Sequence, residues 1–482
     1  MTFAAELSFI LAVTGSVAQS SIDIRAGHTS TTFNSVPIKE AFLVSMELAI
    51  EKARSQVNSA LNFSLVQTVT GCDKVKLAGT IYDYYDKDGV DVTFGPLCST
   101  GMQTVGQMAA AWDWPVIGYQ SGSDSLSDKS VYQTLARVSF SLTEFGKATI
   151  DLIRMMNWTR IAFVYRDRFP CGLSYFGNSL IKSAQSQGVN IAVRVAVRDS
   201  ADLKELGLAL ERVRKNARVV VACVAGEIGS ARYLMSEADA AGMTGPDYAY
   251  IIPWADRQFL PLPWEFGDQK DQLMRKTFAN VLVMLPEGYY YETFKYWLKQ
   301  IERVTLERFN ISEPEFRRRA AQISLVHDGV LLYALAVTKC FNTSGCNWKS
   351  GKQLFQIYRH MIFRGATGRV IMSDTADRLC DYIIQTFDGT DWITNYHFDV
   401  EQQLVNDKAH LSRVLIEKAA HNWRTSDNRP PPDTPPCRFD GSACRTDYTG
   451  QLFVLCSLCF FYLCLAASKA ETDYFSGRRF QY

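Results

Sequence analysis

At 482 residues the chain is too long for one ordinary hydrophobic core, and two or three domains are expected. Its 51 basic and 50 acidic residues leave a formal net charge of +1, which gives no reason to expect a nucleic acid partner. Apolar residues make up 47%, a proportion that excludes a largely disordered chain.

The N-terminus has the features of a secretory signal. An apolar stretch at residues 9–13 precedes the small residues Ser16, Val17 and Ala18, so residues 1–18 are predicted to be a signal peptide. Four Asn-x-Ser/Thr sequons support secretion and are predicted glycosylation sites: Asn62, Asn157, Asn310 and Asn342.

Two runs of alternating strands and helices follow the signal. The first run contains predicted strands at 22–27, 65–69, 90–94 and 115–118, with helices at 37–57 and after Ser99. The second contains predicted helices at 141–156, 174–187, 203–216 and 227–241, and strands at 161–165, 191–197, 218–223 and 248–252. Strand–helix–strand units with short joins imply parallel sheets.

The expected fold class is therefore α/β, with two doubly wound lobes. Lobe 1 is mainly residues 22–138 and lobe 2 mainly 141–252, within a ligand-binding region at 22–428. Beyond residue 253 the pattern is less regular, and we expect helices at 291–308, 322–340 and 350–361 and strands at 369–372, 382–387 and 392–398. These later segments are shared between the lobes, and a ligand is expected in the cleft between them.

The C-terminal part predicts a stalk and a membrane anchor. A proline-rich segment opens a stiff stalk at 429–450. The apolar run at 452–467 would be about 24 Å long as a helix, against about 30 Å for a hydrocarbon core, and we expect residues 451–468 to span a membrane once. A buried helix is the alternative. Basic residues then mark 469–482 as a short cytoplasmic tail.

The sequence contains no recognisable catalytic or metal-binding motif. It has no P-loop, no G-x-S-x-G and no H-E-x-x-H, and its six histidines are scattered, so we expect neither an enzyme nor a metal site. His327 and Asp328 are adjacent on a predicted helix, where neighbours do not face each other. We expect them to pack near the junction of the lobes.

Several ordered motifs carry a resemblance to a known family. They are Cys72 with Gly95-Pro96-Leu97-Cys98, Cys171 with Cys223, the stretch 234–248, His327-Asp328-Gly329, the stretch 363–368, and PPPDTPPC ending at Cys437 with FDGSAC ending at Cys444. In this order they resemble the extracellular ligand-binding domain of receptor guanylyl cyclases, especially the natriuretic peptide receptor branch, over residues 22–444.

The resemblance implies a type I periplasmic-binding-protein fold, a peptide hormone ligand, and a homodimer or a heterodimer with a related receptor. It also implies the disulfides Cys72–Cys98, Cys171–Cys223 and Cys437–Cys444, and a ligand contact at Tyr132. The family's chloride site corresponds to Leu97 and Cys98. Because Leu97 replaces the family's glycine there, chloride is possible but not favoured, and no other cofactor is expected.

Three further positions depart from the family pattern and leave the ligand's identity open. Thr100 and Gln107 stand where the family has a tyrosine and an arginine, and Val131 replaces the glutamate before Tyr132. Independently of the resemblance, the polar segment between Cys340 and Cys346 predicts a fourth disulfide, which leaves Cys380 free or bonded to a second chain.

The predicted function is that of a single-pass type I receptor at the plasma membrane, with its ligand-binding domain outside the cell. Only a short tail follows the predicted span in these 482 residues, so we expect binding without formation of cyclic GMP. Two alternatives stay open: a truncated form of a full receptor guanylyl cyclase, and a small-molecule binding module of the same fold.

Overall fold

The computed structural model describes residues 21–30, 38–140, 142–167, 171–173, 176–198, 202–224, 230–253, 267–290, 292–311, 315–388, 390–405 and 408–444. The predicted signal peptide at 1–18, the membrane helix at 451–468, the tail at 469–482 and the end of the stalk at 445–450 lie outside these ranges.

Sixteen strands form the two sheets. They are β1 (Ile22–Ser30), β2 (Leu61–Val69), β3 (Val92–Phe94), β4 (Val116–Gly118), β5 (Leu135–Phe140), β6 (Arg160–Arg166), β7 (Asn190–Val197), β8 (Val219–Cys223), β9 (Ala249–Pro253), β10 (Val281–Pro286), β11 (Ile362–Gly365), β12 (Gly368–Met372), β13 (Asp377–Leu379), β14 (Tyr382–Phe387), β15 (Trp392–Val405) and β16 (Lys408–Glu417). This count refers to the described ranges.

The described helices cover the faces of those sheets. They are α1 (Ile38–Gln56), α2 (Lys74–Asp86), α3 (Ser99–Trp112), α4 (Leu142–Met155), α5 (Phe176–Ser186), α6 (Leu203–Arg214), α7 (Ser230–Ala240), α8 (Asp271–Thr277), α9 (Glu292–Phe309), α10 (Glu315–Phe341) and α11 (Gly351–Tyr358).

Each lobe is built on one eight-stranded sheet. The order in lobe 1 is β11-β12-β13-β5-β4-β3-β1-β2, and in lobe 2 it is β16-β15-β14-β10-β9-β8-β6-β7. Strands β1 to β5 pair in parallel, as do β6 to β10, whereas β11 to β13 and β14 to β16 add antiparallel edges. The predicted class, α/β with two parallel-rich lobes, is confirmed.

The chain passes between the lobes three times, because each lobe takes strands from two separate parts of the sequence. The first crossover lies between β5 and α4, the second between β10 and α9, and the third between β13 and β14. We call them crossovers one, two and three. They place residues from three separate parts of the chain at the junction of the lobes.

Apolar layers on both faces hold each sheet. In lobe 1, α1, α9, α10 and α11 cover one face, while α2 and α3 cover the other. In lobe 2, α4 and α5 lie opposite α6, α7 and α8. Residues Gln322–Phe341 of α10 are long and apolar enough to cross a membrane, but 83% of that window is buried in the protein, so this helix serves as the core of lobe 1.

Four disulfides are present in the described residues, and they are the four predicted pairs. Cys72–Cys98 joins the start of α2 to that of α3, Cys171–Cys223 lies in lobe 2, and Cys340–Cys346 closes the loop after α10. Cys437–Cys444 lies in a separate compact unit that begins at Thr434. Cys380 has a free, buried thiol.

The segment expected to open a stalk is bound to lobe 2 as far as Asp433. The indole N–H of Trp158 donates to the Pro431 carbonyl at 2.7 Å. The Asp433 carboxylate accepts the amide N–H groups of Thr159 at 2.5 Å and Arg160 at 2.8 Å. Pro431 and Asp433 therefore satisfy polar groups next to and at the start of β6, while the predicted stalk at 429–450 stays a prediction.

Candidate functional site

The carboxyl edge of the lobe 1 sheet carries polar groups that lack partners. Thr29 and Ser30 end β1, while Gln120 and Ser121 follow β4. One side-chain oxygen of each is shielded from solvent and bonds to no described residue. Buried polar groups are normally paired, and open parallel sheets bind ligands at this edge. These four residues, here called the polar edge, are the candidate ligand-binding surface.

At the same edge, the residue that follows β3 lies very close to the backbone at the end of β1. Gly95 has φ +95°, and a Cβ there would lie 2.7 Å from the carbonyl oxygen of Thr29. Only glycine fits both the conformation and the space. The following turn ends in Cys98, which is the N-cap of α3 and is fixed by its disulfide to Cys72. Chloride binding at Leu97 and Cys98 stays a prediction.

A buried ion pair holds the loop after β4. Nε and Nη2 of Arg137 each lie 2.7 Å from the carboxylate of Asp377, on β13. Nη1 of Arg137 donates to the carbonyl oxygens of Ser121 at 3.0 Å and Ser123 at 2.9 Å. The polar edge is therefore positioned by a contact between residues distant in sequence.

Electrostatics strengthen this arrangement. Burial alone would raise the pKa of Asp377, but the charges of Arg137 and Lys129 lower it to about 2. Burial lowers the pKa of Lys129 to about 8, against the opposing attraction of Asp377. Asp377 is thus ionised at every physiological pH, and it binds the loop through charge-assisted hydrogen bonds.

Asp124 lies on the same loop and interacts electrostatically with lobe 2. Burial raises the pKa of Asp124, and the charges of Lys182 on α5 and Arg137 oppose that rise. Leu142, the first residue of α4, approaches Gly122 closely enough that a Cβ there would be in ordinary contact with its side chain, at 3.7 Å. The loop after β4 therefore faces lobe 2 directly.

Crossover three is held from both lobes. Arg369 on β12 binds both carboxylate oxygens of Asp381 at 2.9 Å. Arg413 on β16 donates to the Cys380 carbonyl at 2.8 Å. The amide N–H of Val400 on β15 also donates to Asp381, at 2.7 Å. Any movement of one lobe relative to the other would therefore act on these hydrogen bonds.

The predicted pair His327 and Asp328 lies at the core of a second network. Asp328 accepts the amide N–H of Ala366 at 2.6 Å and the hydroxyl of Thr367. Hydrogen bonds from His327 and Thr367 and the charge of Arg378 lower the pKa of Asp328, although its burial acts in the opposite direction. The expectation that His327 and Asp328 do not interact is wrong, because Nδ1 of His327 lies 3.1 Å from Oδ1 of Asp328.

A charged crevice of about 680 Å³ opens between the lobes. Lobe 1 contributes Ser127, His360, Asp374 and Asp377, among others, and lobe 2 contributes Glu144, Lys147, Asp151 and Arg413. Its volume lies within the range of about 300–1,000 Å³ that small-molecule sites occupy, but its lining is more polar than most. It suits a small charged molecule.

Tyr132 lies in the core beneath α3. It is 5% exposed, and a Cβ on Gly106 would lie 2.8 Å from its ring. Burial raises the pKa of its hydroxyl, with Asp128 adding to the rise. This packing favours a structural role, and a contact between Tyr132 and a ligand stays a prediction. Thr100 and Gln107, the two departures on α3, are exposed.

The four sequon asparagines are all exposed. Asn62 lies on edge strand β2 and donates to Asp23 at 2.9 Å, and Asn157 adopts a positive φ of 60° just before β6. Asn310 and Asn342 follow α9 and α10. Their position leaves room for a glycan at each, and glycosylation itself stays a prediction.

Known proteins share this architecture. Residues 42–390 match the family described as the receptor family ligand binding region. The chain belongs to this family. A receptor-type guanylate cyclase of Caenorhabditis elegans is 26% identical over 406 residues, which are 79% of this chain and 34% of the relative. Atrial natriuretic peptide receptor 3 of Mus musculus is 24% identical over 312 residues, 62% of this chain and 55% of the relative.

This chain therefore spans about a third to a half of the length of these relatives. Among solved structures, an ABC transporter substrate-binding protein from Desulfitobacterium hafniense aligns with TM-score 0.54 and 15% identity, over 77% of this chain and all of that one. That likeness shows the fold alone. The resemblance inferred from the motifs is confirmed.

Sequence reasoning missed the residues that position the polar edge and crossover three. Arg137 and Asp377 are 240 residues apart, so no local spacing connects them. The sequence held one indication of this pair: Arg137 is a charged residue inside the apolar strand β5. A charged residue in such a position needs a buried partner.

Proposed function

We propose that residues 22–433 form the ligand-binding region of a cell-surface receptor, and that its ligand is an extracellular peptide of the natriuretic type. The family match over residues 42–390 carries this proposal. Relatives named as an atrial natriuretic peptide receptor and as receptor-type guanylate cyclases support the peptide ligand and the surface location. In this proposal residues 451–468 span the plasma membrane once, and the sequon asparagines carry glycans.

The ligand acts by selecting one arrangement of lobes or protomers, without a chemical step. The polar edge offers hydroxyl and amide oxygens that bond to no described residue, and Gly122 and Asp124 on the adjoining loop approach Leu142 and Lys182 of lobe 2. Crossovers two and three join the lobes through hydrogen bonds, among them those of Asp381 with the Glu287 amide N–H and with Arg369. Binding at the polar edge is thereby coupled to the relative position of lobe 2.

The region is proposed to work as a dimer through the outer face of α2 and α3. Val75 is 82% exposed and Tyr82 48% exposed on this face. Tyr85 stacks on Trp112 with ring centroids 4.5 Å apart. Exposed apolar and aromatic side chains of this kind mark protein interfaces, and a second copy of the chain is the occupant that a symmetric receptor requires.

The test uses cells that lack receptor cyclases and express these 482 residues. A labelled natriuretic peptide should bind saturably at the surface without raising cyclic GMP. Gln120→Ala, at the polar edge, should weaken binding at least about tenfold, since a lost contact to a buried polar group is worth about 1.4 kcal/mol or more. Gln56→Ala, at the exposed end of α1 near the opposite edge of the sheet, is the matched control.

Absence of peptide binding to a correctly folded surface protein would refute the peptide proposal. A rise in cyclic GMP would refute the proposal that these 482 residues bind the peptide without forming cyclic GMP.

A second candidate is a receptor for a small charged molecule, favoured by the crevice of about 680 Å³ that both lobes line. Free amino acids and dicarboxylates should then raise the Tm of the protein, and Arg413→Gln should abolish the rise.

A further inference from the structure

Three potential metal ligands converge beside crossover two. Glu287 follows β10, while His397 and Asp399 lie on β15 with their side chains on the same side of the strand. Nδ1 of His397 lies 3.0 Å from Oε1 of Glu287 and 4.0 Å from Oδ1 of Asp399. The three ligand atoms all lie within 4.8 Å of one another.

These separations are close to those of a bound zinc ion. Metal–ligand bonds of about 2.1 Å in tetrahedral geometry place ligand atoms about 3.4 Å apart. Small side-chain rotations therefore bring all three atoms into range. One imidazole and two carboxylates form a ligand set that zinc and similar divalent ions accept.

The cluster has access to solvent on one side. The side chain of Glu287 is 9% exposed, whereas those of His397 and Asp399 are 27% and 26% exposed. An ion can therefore enter from the side of β15, and water can complete its coordination. Three protein ligands with water at the fourth position is the arrangement of an open zinc site.

An unpaired oxygen points to the same position. Oδ1 of Asp399 is shielded from solvent and bonds to no described residue, and it is the atom that faces Nδ1 of His397.

The surrounding charge favours a dication. Asp381 lies within electrostatic range of both His397 and Asp399, and so does Lys418, while Arg369 acts on Asp399. Three carboxylates and two cations leave this neighbourhood negative when the imidazole is neutral. A divalent ion would offset that charge and satisfy the unpaired oxygen.

We propose that Glu287, His397 and Asp399 bind a divalent transition-metal ion of the zinc class. The ion would connect crossover two to β15 of lobe 2, next to the bond in which the Glu287 amide N–H donates to the Asp381 carbonyl at 2.9 Å. The sequence conceals this site because its ligands come from two distant segments that meet only in the folded sheet.

The test measures metal binding by the full chain at pH 7.5, with no peptide present. One equivalent of Co²⁺ should give the weak visible absorption of a nitrogen and oxygen site, and Zn²⁺ should displace it and raise the Tm. His397→Gln should weaken binding at least about tenfold, because one of three protein ligands is lost. The control, Asp427→Asn, changes an exposed carboxylate outside the proposed site and should bind as the wild type does.

Folding of each variant is checked by its Tm without metal, and Asp399→Asn provides a second variant should His397→Gln unfold. No binding, or binding that both variants leave unchanged, would overturn the proposal. Intense thiolate-to-cobalt absorption kept in His397→Gln would also overturn it, because that signal assigns the ion to cysteines such as Cys456, Cys459 and Cys464.

Discussion

The carboxylate of Asp377 is buried, and two cationic side chains contact it in place of water. Arg137 and Lys129 both reach it, and Arg137 also holds two carbonyl groups of the loop after β4. A buried pair of this kind adds little beyond an apolar pair of the same shape, but removal of one partner leaves an uncompensated charge. Its importance is that it fixes the position of the polar edge.

Asp377→Asn should therefore lower the free energy of unfolding by about 3–5 kcal/mol, because Arg137 stays buried without its counter-charge. Asp374→Asn, an exposed carboxylate three residues earlier, is the matched control and should change stability by less than about 0.5 kcal/mol. Urea denaturation followed by tryptophan fluorescence measures both. Equal effects of the two variants would contradict the assigned role.

The same pair has a signature in acid. Because the folded pKa of Asp377 is lowered to about 2, its ionisation contributes stability that is complete above about pH 4 and is lost as pH falls towards 2. The shift corresponds to roughly 2 kcal/mol. The stability difference between wild type and Asp377→Asn should therefore shrink between pH 4 and pH 2. A difference that stays constant across this window would show that the carboxylate is not held ionised.

At the scale of elements, the turn between β11 and β12 interlocks with α10 and with crossover two. A Cβ on Gly365 would lie 2.1 Å from the carboxylate of Asp328, and one on Gly288 would lie 2.1 Å from the Thr367 carbonyl. These approaches explain why two of the motifs, His327-Asp328-Gly329 and the stretch 363–368, occur together. They are two halves of one contact.

Gly365→Ala should destabilise lobe 1 by about 3 kcal/mol or more, because the new methyl group must displace a buried, fully bonded carboxylate. Gly207→Ala in α6 is the control, since its methyl group would meet only the mobile end of Glu237 at 3.1 Å. That change should stabilise by up to about 1 kcal/mol through helix propensity. Thermal unfolding compares them, and a neutral Gly365→Ala would refute the interlock.

The segment ending at Asp433 can be tested by amide exchange. Asp433→Ala removes the acceptor of the Thr159 and Arg160 amide N–H groups, so both should exchange at least about tenfold faster. Asp427→Ala, an exposed carboxylate of the same segment, should leave them unchanged. Hydrogen exchange read by mass spectrometry of peptides across β6 decides the point. Unaltered protection in Asp433→Ala would mean that the segment is not docked in solution.

Most central parallel strands were predictable because each is a short apolar run between turn residues, but β5, which carries Arg137, was not predicted. Strand β10, with the pattern Val281–Pro286, has the same composition but was not predicted, since it follows an irregular stretch. Helix α2 was also missed, although Leu77, Ile81 and Tyr84 are buried at helical spacing and Asp73 caps it. Strand β16, Lys408–Glu417, was missed because its sequence mixes charged with apolar residues.

At the scale of the whole molecule, apolar patterns predicted two lobes and the family resemblance implied three of the four disulfides, whereas the junction between the lobes could not be predicted. Its bonds, such as Arg137 to Asp377 and Arg369 to Asp381, join segments whose proximity depends on the completed fold. Propensity and periodicity act over a few residues, so they carry no information on such pairs.

Dimer formation through α2 and α3 makes a prediction for the intact chain. Val75→Arg places a charge on the proposed interface at an exposed position, so it should weaken association at least about tenfold without loss of folding. Leu208→Arg, on exposed α6 of lobe 2, is the control. Sedimentation velocity in detergent measures the distribution. Equal dimer fractions in the two variants would place the interface elsewhere.

The docking of Pro431 and Asp433 on lobe 2 has a mechanical consequence. The first strand, β1, belongs to lobe 1, and the last docked residue, Asp433, is bound at the start of β6 in lobe 2. Tension applied to the chain beyond Asp433 therefore loads lobe 2 first and reaches lobe 1 through the three crossovers and the contacts between the lobes. The hydrogen bonds of Trp158 and Asp433 attach this segment to lobe 2 and transmit the force. Conversely, a change in the orientation of lobe 2 relative to lobe 1 would displace the chain that follows Asp433.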